Sequence, residues 1–360
     1  MPEITESKPV ARGDKIWLNC EVEMQQAELK TQSRPIDLVA IGGGTGLSTL
    51  LSGLKRYVGN DDEQFLTIER LSAIVAVSDD GGSSGRLRDE LQMPPPGDIR
   101  NCMVALSEDS HLLSKLFKHR FSGDGPLAGH NFGNLFLAAL SEVTGDFAEA
   151  VRLSSEIIAS KGHIFPATVA DVRIAARLTD GSIVQGETNI SNTRGAIERL
   201  YLEPEDCDPH PDAVAAIMQA DIVTVGPGSL YTSILPPLLV NGVVEAIGAA
   251  SAIKVFVCNL MTQPGETDGL TARRHLEIVR EYAPDLTFDF LVVNNRMISE
   301  RQAEIYTRDG AEQIGVHGSI EGSEVEGAKV VYANLLDDGE LVRHHPGRLA
   351  ETVLNLVSGS

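Results

Sequence analysis

A unit recurs along this chain: a short apolar run rich in β-branched residues, closed by a glycine-rich or polar loop, then a stretch with helical spacing. Residues 36–41 (IDLVAI) run into Gly42, Gly43, Gly44, Thr45 and Gly46, after which Leu47, Leu50, Leu51 and Leu54 recur every three or four positions. Residues 71–77 end in SDDGGSSGR, residues 220–225 in Gly226, Pro227, Gly228 and Ser229, residues 253–258 in NLMTQPG, and residues 288–293 in Asn294, Asn295 and Arg296. Strands that alternate with helices are parallel, and right-handed crossovers lay five such units into one sheet. The expected fold class is α/β: a Rossmann-like, open, mostly parallel sheet with helices on both faces.

Two segments depart from this rhythm. Residues 98–161 carry no strand signal, but Leu112, Leu113, Leu116 and Phe117, then Leu135, Leu137, Ala138 and Leu140, then Val151, Leu153, Ile157 and Ile158, predict successive helices, a helical insertion. Residues 163–203 place apolar runs on either side of an Asp180-Gly181 turn, which predicts a small antiparallel hairpin subdomain. Residues 1–34 are polar and weakly periodic, an extension expected to be only partly ordered. Residues 35–358 then form a single elaborated domain.

Charge excludes several functions. With 30 Lys and Arg against 51 Asp and Glu, the net charge is −21, the wrong sign for nucleic acid or an anionic lipid surface, both of which need clustered cations. The longest apolar region, residues 234–261, is interrupted by Pro236, Pro237, Asn241, Glu245 and Lys254, so no membrane span is expected. The N-terminus has no basic segment leading into an apolar run, hence no signal peptide. Cys20, Cys102, Cys207 and Cys258 are too scattered for a disulfide framework or a zinc site. A cytoplasmic protein is expected.

In open α/β sheets ligands bind beyond the carboxyl ends of the strands, where every unusual loop of this sequence falls. Gly42 to Gly46 lets backbone approach a ligand and offers N–H groups at a helix N-terminus, a seat for phosphate. It fits neither GxGxxG nor GxxxxGK[ST]. Asp79 and Asp80, followed by Gly82, Ser83, Ser84 and Arg86, could contact a ribose, hold a divalent cation beside phosphates, or cap their own loop. Gly226, Gly228, Ser229 and Ser233 suit an anion or a sugar hydroxyl, with a plain N-cap as the alternative. Asn131 and Asn134, within GHNFGN, each carry a donor and an acceptor that suit a nucleobase edge or ribose. Arg86, Arg88 and Arg100 are expected to supply the cleft's cations. No HExxH motif is present, and isolated histidines such as His111 and His275 read as surface or packed residues.

Taken together, AIGGGTGLSTLLSGLK, VAVSDDGGSSGRLR, PPGDIRNC, GHNFGNLFL, VGPGSLYTSILPPLL and VCNLMTQPGETDG, in that order, resemble the gluconeogenesis factor family, which is related in fold to 2-phospho-L-lactate transferase. The resemblance covers about residues 36–358. It implies a cytoplasmic factor needed for cell shape and for growth on gluconeogenic carbon, binding a UDP-sugar such as UDP-N-acetylglucosamine, with a protein partner and a homo-oligomer as further expectations. The family's motifs fall on Gly42 to Gly46, Asp79 to Arg86, Gly129 to Asn134 and Gly226 to Ser229, and its C-terminal basic residue on Arg301 or Arg343. The transferase relatives imply the alternative, an Mg²⁺-dependent transfer of a phosphorus-containing group with the metal on Asp79 and Asp80. A nicotinamide-dependent oxidoreductase is the third reading, and the absent GxGxxG turn counts against it.

Overall fold

The computed structural model describes residues 35–59, 66–108, 111–193, 195–315 and 323–358. The expected N-terminal extension, Cys20 within it, lies outside the described residues. Eleven strands are described: β1 (Ile36–Gly42), β2 (Ile68–Val75), β3 (His163–Pro166), β4 (Arg173–Leu178), β5 (Ile183–Gln185), β6 (Ile197–Glu203), β7 (Ile222–Val225), β8 (Ile253–Val257), β9 (Phe290–Asn294), β10 (Glu324–Val325) and β11 (Ala328–Ala333).

Eight of these make one sheet in the order β10-β11-β9-β8-β7-β1-β2-β3. Its pairs are parallel except for the β10–β11 pair at one edge. The chain builds outward from β1 in both directions, so the switch point of the topology lies between β1 and β7, where a crevice opens beyond the carboxyl ends. The register keeps those ends level, because Ile41 faces Ile74 on one side and Val225 on the other.

Apolar residues occupy both faces of the central strands because both faces are covered. Val39, Ile41, Val223 and Val225 point into one core with the helices Pro211–Gln219 and Val243–Ala249, while Leu38, Ala40 and Ile222 point into the other with Gly44–Leu54 and Pro346–Ser358. Helices Gly97–Leu106, His111–Lys118, Phe132–Thr144 and Phe147–Ile157 fill the connection from β2 to β3, where the sequence predicts an insertion of helices.

The antiparallel unit differs from its sequence reading in extent. His163–Pro166 does not belong to it; this segment pairs in parallel with β2 as the edge of the large sheet. The separate sheet has three strands, β5-β4-β6, with the helix Glu187–Asn192 between β5 and β6. Four residues are too few to show a period, and the partner that fixes β3 lies far upstream. The strand β11 (AKVVYA) was likewise not among the five expected units. The apolar region near residue 234 folds as helical segments Leu230–Leu238 and Val243–Ala249 set at 74°, and among the described residues no single helix is long and apolar enough to cross a bilayer. Cys102, Cys207 and Cys258 are buried free thiols.

Candidate functional site

The loops after β1 and β7 meet at the switch point. Gly44 has φ +62°, a left-handed conformation that costs a residue with a Cβ, and it opens the helix Gly44–Leu54. The first turn of a helix leaves its N–H groups without helical acceptors. The Gly44 N–H donates to Asp98 Oδ2 at 2.7 Å, while Thr45 and Gly46 line a cavity of about 420 Å³. Gly228 and Ser229 close its other side. The Gly228 N–H is held by Asn259 Oδ1 at 3.0 Å, and Gln263 Nε2 donates to Ser229 Oγ at 2.7 Å. Gln263 Oε1 is buried with no partner. Ser233 sits behind both loops: a Cβ on Gly43 would lie 3.4 Å from its Cβ, and one on Gly228 3.0 Å. The two loops are therefore one packed unit.

Arg343 lines this cavity and an adjoining one of about 430 Å³, which also shares Thr45 and Thr49. Arg301, the other basic residue to which the resemblance pointed, instead pairs with Glu340 at 2.6 Å on the surface.

The loop after β2 makes a second, contiguous group. Asp79 Oδ1 accepts the Gly81 N–H at 2.8 Å. Asp80 Oδ1 accepts both the N–H (2.9 Å) and the hydroxyl (2.7 Å) of Thr188, which ties the large sheet to the three-stranded unit. The adjacent aspartates thus turn to different neighbours. Ser83 Oγ lies 3.1 Å from His130 Nδ1 and accepts the Asn131 N–H at 3.2 Å. Asn131 Oδ1 caps the helix Phe132–Thr144 by accepting from Asn134 N at 3.3 Å, and Asn134 Nδ2 donates to Ser84 Oγ at 3.3 Å. Both amides face inward in this network, and Asn134 Oδ1 is buried without a partner. Gly82 is exposed at the head of the helix Gly82–Leu91 with φ +47°.

The three arginines expected in the cleft separate. Arg86 is exposed and donates to the carbonyls of Ala128 (2.9 Å) and Pro126 (3.4 Å), pinning the loop before His130. Arg88 is 1 % exposed and lies in the core, donating to the Val172 carbonyl and pairing with Asp171. Arg100 alone stays beside the carboxylates, where Asp98 and Asp79 act on its charge and burial lowers its pKa. Helical spacing decides this outcome, since Leu87 and Arg88 fall on the inner face of their helix while Arg86 faces outward.

Carboxylates crowd where the units join. Burial first, then Asp79, pushes the Asp98 carboxyl up to about 6. Burial, then Asp79, Asp98, Asp80 and Glu266, pushes Glu187 up to about 9. Glu266 is raised by burial against a hydrogen bond from Ser191 (2.7 Å), and its Oε2 has no partner. The folded state therefore prefers protonated Glu187, and its stability falls as pH rises from the ordinary carboxylate range towards about 9. Glu187→Gln is expected to flatten this slope and to exceed the parent at pH 9 by about 1–2 kcal/mol after allowance for partial solvation. Denaturant titrations with chelator present at pH 6 and pH 9 check it; a parent-to-variant difference that does not change with pH would refute it.

Sequence reasoning did not single out Asp98, Glu187 or Gln263. Asp98 reads as an acid in the first turn of a helix, and Glu187 reaches the site only through the packing of a separate sheet. The family described as 2-phospho-L-lactate transferase CofD matches residues 38–336. A Bacillus subtilis (strain 168) protein named gluconeogenesis factor is 40% identical over 321 residues, 89% of this chain and 98% of that protein. The chain belongs to the CofD family, among its gluconeogenesis factors. The Halalkalibacterium halodurans gluconeogenesis factor is 41% identical over 318 residues, 88% of this chain and 95% of its own length. A crystal structure of a Bacillus halodurans protein, 40% identical, superposes with a TM-score of 0.83 over 89% of this chain and 100% of that one.

Proposed function

We infer that this gluconeogenesis factor relative is a cytoplasmic regulatory protein that binds a UDP-linked sugar, UDP-N-acetylglucosamine or a close analogue, in support of cell shape during gluconeogenic growth. The carrying observation is the junction of the two glycine loops at the switch point, with the first-turn groups of Thr45 and Gly46 and the Arg343 side chain on one cavity. A helix N-terminus and a guanidinium together suit a diphosphate. The ligand would act by its differential affinity for two states of the protein, one of them read by a protein partner.

Calorimetry with UDP-N-acetylglucosamine is expected to show binding, and Arg343→Ala to weaken it about tenfold or more through loss of a charge-assisted contact. Absence of both binding heat and thermal stabilisation at millimolar ligand overturns the reading.

One observation favours a second reading, transfer of a phosphorus-containing group. Burial first, and then the Asp79 carboxylate, raise the cost of charge on Asp98, and two neighbouring carboxyls fit Mg²⁺, which takes one or two carboxylates and keeps several waters. Bound there, the ion would offset charge on a phosphoryl group. Asp98 would meanwhile hold the glycine loop through the Gly44 N–H, and Asp80 would hold the three-stranded unit in place. If Asp79→Asn leaves nucleotide affinity, its metal dependence and every assayed transfer unaltered, this reading is lost.

A further inference from the structure

The helix Glu187–Asn192, which lies between β5 and β6 of the small antiparallel sheet, is gripped at both ends by loops of the large sheet. At its start, Asp80 Oδ1 accepts from the N–H and the hydroxyl of Thr188, and a Cβ on Gly186 would overlap Asp80 Oδ2. At its end, Ser191 Oγ donates to Glu266 Oε1 at 2.7 Å, and a Cβ on Gly265 would overlap the Thr193 carbonyl.

The two grips differ in what stands behind them. Asp80 belongs to the loop after β2, whereas Glu266 belongs to the turn after β8, and Gln263 and Pro264 of that turn line the cavity of about 420 Å³. The turn is tightly bonded within itself. The Gln263 carbonyl accepts the N–H groups of Glu266 (3.0 Å) and Thr267 (2.8 Å), and the Gln263 N–H donates to Thr267 Oγ1 at 2.8 Å. The Gly265 N–H donates to Asp268 Oδ2 at 2.8 Å. Gln263 and Glu266 therefore shift as one piece, yet their side chains hold different partners: Gln263 holds Ser229 in the cavity wall and Glu266 holds Ser191 on the small unit.

Each of these side chains also keeps one buried acceptor without a partner, Gln263 Oε1 and Glu266 Oε2. An unpaired buried acceptor raises the free energy of the arrangement that leaves it so. A ligand that offers Gln263 an N–H or a hydroxyl thus changes which placement of the turn is favoured, the differential affinity that a conformational response requires.

We propose that a ligand in the cavity beside Thr45 tightens the hold on the small antiparallel sheet, through the turn from Gln263 to Glu266 and its bond to Ser191, so that this sheet reports occupancy of the site. The inference rests on the nucleotide-sugar reading above. None of the described residues lining that cavity belongs to the small sheet or its helix, so the turn is the link between them.

Amide hydrogen exchange of the full chain with and without saturating UDP-N-acetylglucosamine, with calorimetry in parallel, tests it. In the parent the ligand is expected to slow exchange over residues 183–193, the Thr188 N–H included, by about tenfold, the size of an ordinary coupling between sites. Ser191→Ala cuts the link and is expected to bring that factor to within about twofold while binding persists. Thr188→Val removes only the hydroxyl that Asp80 holds, and is expected to speed exchange in both states and to keep the factor. Thr188 and Ser191 are exposed, and unchanged melting temperatures verify that both variants are folded. Equal exchange over residues 183–193 with and without ligand, in a parent that binds it, overturns this inference alone. So does a factor that survives Ser191→Ala or disappears in Thr188→Val, because the link would then run through the loop after β2. Failure of UDP-N-acetylglucosamine to bind the parent overturns the nucleotide-sugar reading, and this inference with it.

Discussion

Gly46→Ala is expected to destabilise the protein by about 2–3 kcal/mol and to abolish ligand-induced stabilisation, because the added methyl has nowhere to go. A Cβ at this position would overlap the Pro227 carbonyl, with its carbon 2.6 Å away and the Gly228 nitrogen 3.0 Å away. These obstacles are backbone, so no rotamer change can relieve them. They also belong to the opposite loop, so relief must pull apart the two loops that form the cavity. The glycine is therefore required for close approach, not for an unusual φ. By contrast, at Gly59 a Cβ meets nothing within 4 Å, and Gly59→Ala serves as a control whose loss comes only from the strain of its φ of +60°. Denaturant midpoints and thermal shifts with UDP-N-acetylglucosamine would check this; a Gly46→Ala protein with parental stability and a parental ligand shift would refute direct loop-on-loop packing.

Arg88→Ala is expected to cost about 2–4 kcal/mol, and Arg88→Met much less, within about 1.5 kcal/mol. The side chain is among the largest fully buried ones. It anchors the helix Gly82–Leu91 to the segment before β4 through Val172 and Asp171. Its Nε and Nη1 are nonetheless buried without partners, and burial lowers its pKa despite Asp171. Two effects oppose each other. Removing the long side chain opens a void and frees the Val172 carbonyl, whereas removing the charge relieves a desolvation cost that Asp171, with 46 % of its side chain exposed, only partly offsets. Both variants free the Val172 carbonyl and relieve the charge; alanine also opens the void, whereas methionine fills most of the volume. Equal losses in the two variants would show that the ion pair, not the packing, governs this position. Midpoints of guanidinium unfolding at constant slope read the difference.

Most of the scaffold was legible because parallel strands covered on both faces write themselves as uninterrupted apolar runs. Residues 36–41 and 220–225 each announce a strand, a glycine loop and a following helix or helical turn. The strand β3 escaped because four residues carry no period, and β11 because Asn334, Leu335 and Leu336 follow it rather than a glycine-rich or polar loop leading into a helix. The glycine loops could be located but not joined: nothing local to Gly46 states that its neighbour is Pro227, 181 positions later. The arginines show the same limit. Arg86, Arg88 and Arg100 look alike in a list of cations, yet one pins a loop, one is core and one faces Asp98 and Asp79.

By itself the sequence determined the fold class, the placing of glycine loops at strand ends and the family, because apolar periodicity and glycine spacing are local properties that each segment carries independently. Only the tertiary structure decided which of those loops share a cavity, that Asp80 is taken up by Thr188 while Asp79 acts on Asp98, and that Arg343 lines a cavity with Thr45 whereas Arg301 pairs with Glu340. These depend on the order of strands in the sheet, and strand order is set by which apolar faces can be buried together across the whole chain, a balance that no single segment contains.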